Sequence, residues 1–170
     1  MVQPILEENA SAPLSDARIV RFQRYARGRI AHFWKRQILT AIGSAYLMLM
    51  ISPTIGILAG AIALIGEIVD CANLRHQSKV LDQGGDFRKA SSMASFTAML
   101  QALSISCCIL IAWLLPSVGN GPHFALVFLM SAALNAGLVL PYHKQSASAR
   151  LIVYGATYVA GAIQQYVTWE

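Results

Sequence analysis

Glu67 and Asp70 are the residues of this sequence with the most chemistry to offer. They stand at the end of a long apolar run. Together with Gly56, Gly60 and Ala63 they recur at intervals of four, three, four and three, which places all five on one face of a helix. The small residues, including a Gly-x-x-x-Gly pair, let a neighbouring helix approach closely. A charged carboxylate at the depth of Glu67 costs about 2 to 3 kcal/mol on insertion scales, so it is expected to be protonated, hydrogen-bonded or hydrated. Thr97 and Asn135 are the candidate partners at matching depth. Thr97, Gln101, Ser104 and Cys108 line one face of a later segment, and with Glu67, Asp70 and Asn135 they form a polar seam. Two readings of that seam stand side by side. One is a proton or ion relay or a ligand pocket; the other is interhelical hydrogen bonding beside a carboxylate that snorkels or pairs with Arg75 or Lys79.

Other patterns carry less. His32, His76, His123 and His143 fall near segment ends without ligand spacing to a Cys or carboxylate, apart from a loose match of His76 with Asp70, so no metal and no cofactor is expected. Cys71, Cys107 and Cys108 form no disulfide framework and are expected to be packing residues, the last two pointing to different sides of one helix. Gln83-Gly84-Gly85-Asp86-Phe87 invites comparison with the diguanylate cyclase signature, but that site needs a soluble domain about as long as this whole chain. Gly84-Gly85 is a turn.

The elements that position these residues follow from apolar runs. With 56% hydrophobic and 12% charged residues, the chain is expected to be an all-α integral membrane protein with no room for a separate catalytic domain, hence not itself an enzyme. Ile38 to Gly66 is 29 residues without a charge. As one helix it would extend roughly 43 Å, well beyond the roughly 30 Å of bilayer hydrocarbon. Ser52-Pro53 divides it, Ser52 as a helix cap and Pro53 at the first helical position. The reading is a bundle of about five transmembrane helices over residues 33–52, 53–74, 90–115, 123–141 and 151–169, the first two a Ser-Pro-linked hairpin. Residues 1–14 are expected to be a mobile tail, and residues 15–32 a basic amphipathic helix in the interface plane. On that helix Ile19, Phe22, Ala26 and Ile30 face lipid, and Arg18, Arg21, Arg24, Arg27 and Arg29 the headgroups, continued by Lys35 and Arg36.

Charge sets the orientation. With the hairpin, seven basic residues precede the first span, four lie between the second and third, and two lie between the fourth and fifth, so all 13 fall on one side. The bias of Lys and Arg toward cytoplasmic loops then gives a cytoplasmic N-terminus in a bacterial inner membrane. The net charge of +5 is thereby assigned to anionic lipid rather than nucleic acid.

The stretches Leu49-Met-Ile-Ser-Pro-Thr-Ile-Gly56, Gly66-Glu-Ile-Val-Asp70 and Asn135-Ala-Gly-Leu-Val-Leu-Pro-Tyr-His143 resemble the N-terminal membrane region of alphaproteobacterial sensor histidine kinases, often hybrid ones with PAS domains. The resemblance covers about Arg18 to Trp169. It implies a membrane-embedded input and anchoring module, working as a homodimer or with cytoplasmic kinase domains of a longer parent. The chain departs from the family where phosphotransfer is concerned. Phe33, Gln77, Phe124 and Lys144 follow its histidines, where the family's phosphorylation box has an acidic residue, and no Gly-rich nucleotide site is present. A small carrier or ion-translocating protein using Glu67 is the alternative, and an accessory subunit of a membrane complex a third.

Overall fold

The computed structural model describes residues 5–115 and 120–167, with side chains from Ala17 onward. Six helices follow one another: α1 (Ile5–Ala31), α2 (Phe33–Met50), α3 (Pro53–Asp82), α4 (Phe87–Leu114), α5 (Gly121–Gly137) and α6 (Lys144–Val167). The expected all-helical class is the observed one. The five spans are not. Among the described residues, only α3 and α4 are long and apolar enough to cross a membrane, and α5 is a shorter apolar helix of 17 residues. The physical reason lies in composition: α2 has 18 residues and begins with Lys35, Arg36 and Gln37 in its first turns, while α6 carries Lys144, Arg150 and a glutamine pair.

The Ser-Pro turn forms as the sequence implies. Ser52 is extended, Pro53 occupies the first turn of α3, and the Ser52 carbonyl accepts from Gly56 N–H at 3.0 Å. The Ser52 hydroxyl itself makes no cap bond; backbone bonds from Ile51 and Ser52 to the Leu47 carbonyl close the end of α2 instead. Gly84 has φ +81° in the α3–α4 turn, a conformation that costs glycine nothing, and the Asp86 side chain caps α4 by accepting from Arg88 N–H at 2.8 Å.

Two boundaries fall elsewhere than expected. α1 starts at Ile5, inside the stretch read as a tail, whose first four residues lie outside the described ones. α5 ends at Gly137 rather than at Pro141, and the following turn returns the chain quickly enough for α6 to begin at Lys144, so that Arg150 is helical rather than in a loop. The far end of the fifth expected span, Thr168 and Trp169, lies outside the described residues.

α4 is the central helix, packed on α3, α5 and α6, while α2 lies on α3 and α1 crosses the end of α3. Its buried stripe is Ala90, Ala94, Ala98 and Ala102, four apart, which lets α3 and α6 close on it. A second cluster of Phe22, Tyr25, Ala26, Leu74, Leu81, Ala90 and Ala94 holds α1 to the α3–α4 hairpin. This corrects the interfacial helix: Phe22 and Ala26 are fully covered by protein rather than by lipid. Large apolar side chains instead crowd the outer surface, as with Trp34, Leu49, Leu138 and Ile152, each more than 70% exposed.

Candidate functional site

The face of α3 that carries Glu67 and Asp70 turns inward, and both carboxylates are buried. Neither is neutralised by the partners read from the sequence alone. Arg29, arriving from the last turn of α1, donates through Nη2 to Glu67 Oε1 at 3.1 Å and to Asp70 Oδ2 at 2.9 Å. Arg36, one turn into α2, donates through Nε to Glu67 Oε1 at 2.7 Å and through Nη2 to the Arg29 carbonyl at 2.7 Å. Arg150, from the second turn of α6, reaches Asp70 Oδ2 at 2.7 Å, Gln101 Oε1 at 3.1 Å and the Tyr25 hydroxyl at 3.1 Å. Arg29 and Arg36 are thus withdrawn from the lipid-facing set, whereas Arg18, Arg21, Arg24, Arg27 and Lys35 are exposed. Burial opposes the charge of Arg29, but Glu67 and Asp70 outweigh it and hold its pKa above the usual guanidinium value.

Thr97 joins the site through the other carboxylate from the one expected. Its hydroxyl donates to Asp70 Oδ1 at 3.1 Å and accepts from Asn73 Nδ2 at 3.0 Å, and Gln77 extends the line to Asn73 at 3.1 Å. Asn135 lines a cavity of about 30 Å³ beside Arg36, Glu67, Gln101 and Arg150. Ser104 and Cys108 lie further along α4 and turn to backbone: Ser104 donates to the Gln101 carbonyl, and Cys108 to Ala59 and Ser104. Gly56 and Gly60 lie against Met48 and Ser44 of α2, with Ser44 Oγ donating to the Gly56 carbonyl at 2.7 Å, and Ala63 is buried on the same face.

Tyr25, Asn73 and Arg150 were not singled out and Arg29 was assigned to the headgroups, yet the two arginines carry a usable signal. Arg29 lies seven residues after Phe22 and three after Ala26, on the apolar face of α1 rather than with the other arginines. Arg150 stands in the same phase of α6 as Ala147, Tyr154 and Thr157, all buried.

A second polar group adjoins the first. His143 accepts at Nδ1 from the Ser146 N–H at 3.2 Å, capping α6, while its Nε2 lies 2.9 Å from Ser91 Oγ and its ring stacks on Tyr25. A ring that accepts at Nδ1 is neutral. Burial, with the Arg150 charge behind it, lowers its pKa to about 4. The folded chain therefore binds fewer protons at this site than the unfolded chain between about pH 6.5 and 4, so stability falls as pH drops through that window and the loss is complete below it. Imidazole NMR shifts in detergent are expected to titrate with a midpoint near pH 4; a midpoint near 6.5 would contradict the neutral cap.

Among the described residues no three His, Cys, Asp or Glu side chains group so as to hold a metal ion. The arrangement is a five-membered ion network with a neutral histidine cap next to it, and it ties α1, α2, α3 and α6 together at one level of the bundle. No family model, curated protein or solved structure matches the chain.

Proposed function

We propose that the chain is the membrane-embedded input and anchoring module of a bacterial signal-transducing histidine kinase, seated in the inner membrane with a cytoplasmic N-terminus and without the kinase portion. The carrying observation is the buried network of Arg29, Arg36 and Arg150 with Glu67 and Asp70. It ties α1 to α2, α3 and α6, so a change of packing among those helices is passed to α1. This is what an input module requires, and the family resemblance adds the kinase as the receiver.

Support for the bilayer comes from the distribution of side chains. Alanine is the commonest buried apolar residue, while many isoleucines and leucines, and Trp34, face outward in larger number than water selects. α3, about 45 Å long from its 30 residues, outruns the hydrocarbon, so its last turns and the start of α4 project to the basic side, where α1 covers them. The exposed Arg18, Arg21, Arg24, Arg27 and Lys35 then meet anionic headgroups. A carrier working through Glu67 fits less well, because that carboxylate is held by two arginines and the space beside it takes only a water or two.

The reading frame of the gene beyond Glu170 tests the proposal: an in-frame phospho-acceptor and ATP-binding region supports it, and an immediate stop codon overturns it. Orientation is checked separately with a reporter active only outside the cytoplasm, expected to be active when fused after Val118 and silent after Asp82.

A further inference from the structure

The ion network is unbalanced. Arg29, Arg36 and Arg150 bring three positive charges to two carboxylates, and the remaining neighbours, Tyr25, Thr97, Gln101 and the Cys71 thiol that donates to Glu67, are neutral. His143 on the far side of Tyr25 is neutral as well. An uncompensated charge in a buried site is expensive, since burial removes the water that would screen it. Two further features lie at the same place. The Nε of Arg29 is buried and has no hydrogen-bond partner among the described residues. Arg29 also forms part of the wall of the cavity of about 30 Å³, with Arg36, Gln101, Asn135 and Arg150, and with the Glu67 carboxylate that Arg29 and Arg36 already hold.

We propose that this cavity binds one small monovalent anion of the halide class, which balances the third arginine. Size and charge both select it. A space for one or two waters excludes phosphate, sulfate and carboxylate headgroups, and a single negative charge brings three arginines and two carboxylates to neutrality. Three arginines, from α1, α2 and α6, line the space together with Gln101 and Asn135, and they outnumber the one carboxylate there, Glu67. Because the anion sits between arginines of three helices, its occupancy strengthens the attachment of α1 to the bundle.

Thermal unfolding of the detergent-purified full chain, with sodium chloride exchanged for sodium gluconate at constant ionic strength, tests this. Chloride and bromide should raise Tm saturably, by about 2–4 °C at five times the Kd, while gluconate and sulfate should not. Arg36→Gln brings the network to neutrality without the anion and should abolish the halide response. Asn135→Leu fills the cavity while leaving every charge in place and should abolish it too, so the test survives if Arg36→Gln fails to fold. A rise shared by gluconate, or a halide response retained in Asn135→Leu, overturns the proposal.

Discussion

Asp70→Asn is expected to destabilise the chain by about 3–5 kcal/mol, the range for removing one member of a buried ion pair. Asp70 is fully buried and accepts from Arg29, Arg150 and Thr97 at once. An asparagine of the same shape would leave three arginines around Glu67 alone and turn an amide donor toward guanidinium donors. Glu67→Gln should cost less, because one of its two arginine partners, Arg36, is partly exposed and keeps the Arg29 carbonyl as an acceptor. Equilibrium unfolding in detergent orders the two. The double variant Asp70→Asn with Arg150→Met should recover part of the loss, since it removes a cation left without its partner, and groups in one network are non-additive. A loss below about 1 kcal/mol for Asp70→Asn would show that the network does not hold the bundle together.

That Asp70 rather than Glu67 is the hub could not be read from the chain, and the reason is instructive. Hydropathy measures depth along one helix, and by that measure Glu67 lies deeper and Asp70 almost at the boundary. It carries no information about what covers the boundary, and here α1 does, with Phe22 and Tyr25 over the end of α3. The rule that places basic residues in cytoplasmic loops worked against the site as well. It sorts charges by side of the membrane and assigns them all to water or headgroups, whereas Arg29, Arg36 and Arg150 turn inward onto buried carboxylates.

What the sequence made legible was periodic or stereochemical: the shared face of Gly56, Gly60, Ala63, Glu67 and Asp70, the Ser52-Pro53 turn, and the Gly84-Gly85 turn. These depend on residues near one another in the chain. The cross-chain pairings, such as Arg150 with Asp70, depend on which helices become neighbours, and no local pattern reports that.

Gly56→Leu is expected to cost about 3 kcal/mol, at the upper end for overfilling a packed contact, because the obstacle is backbone. A Cβ at Gly56 would lie 2.5 Å from the Met48 nitrogen and 2.7 Å from the Ser44 carbonyl oxygen, in addition to the Met48 side chain. A side chain can rotate away, but the α2 backbone is tethered by the Ser52-Pro53 turn only a few residues on and can move only if the hairpin splays. Splaying would also break the bond from Ser44 Oγ to the Gly56 carbonyl and shift Arg36, which rides on the same helix. Gly60→Ala meets only the Ser44 side chain and should be milder. Gly155→Ala is the control: a Cβ there meets nothing within 4 Å, and alanine in a helix interior should gain up to about 1 kcal/mol. Thermal stability of the three variants in detergent separates the cases, and a Gly56→Leu variant as stable as the parent would mean that the α2–α3 hairpin is not closed at that glycine.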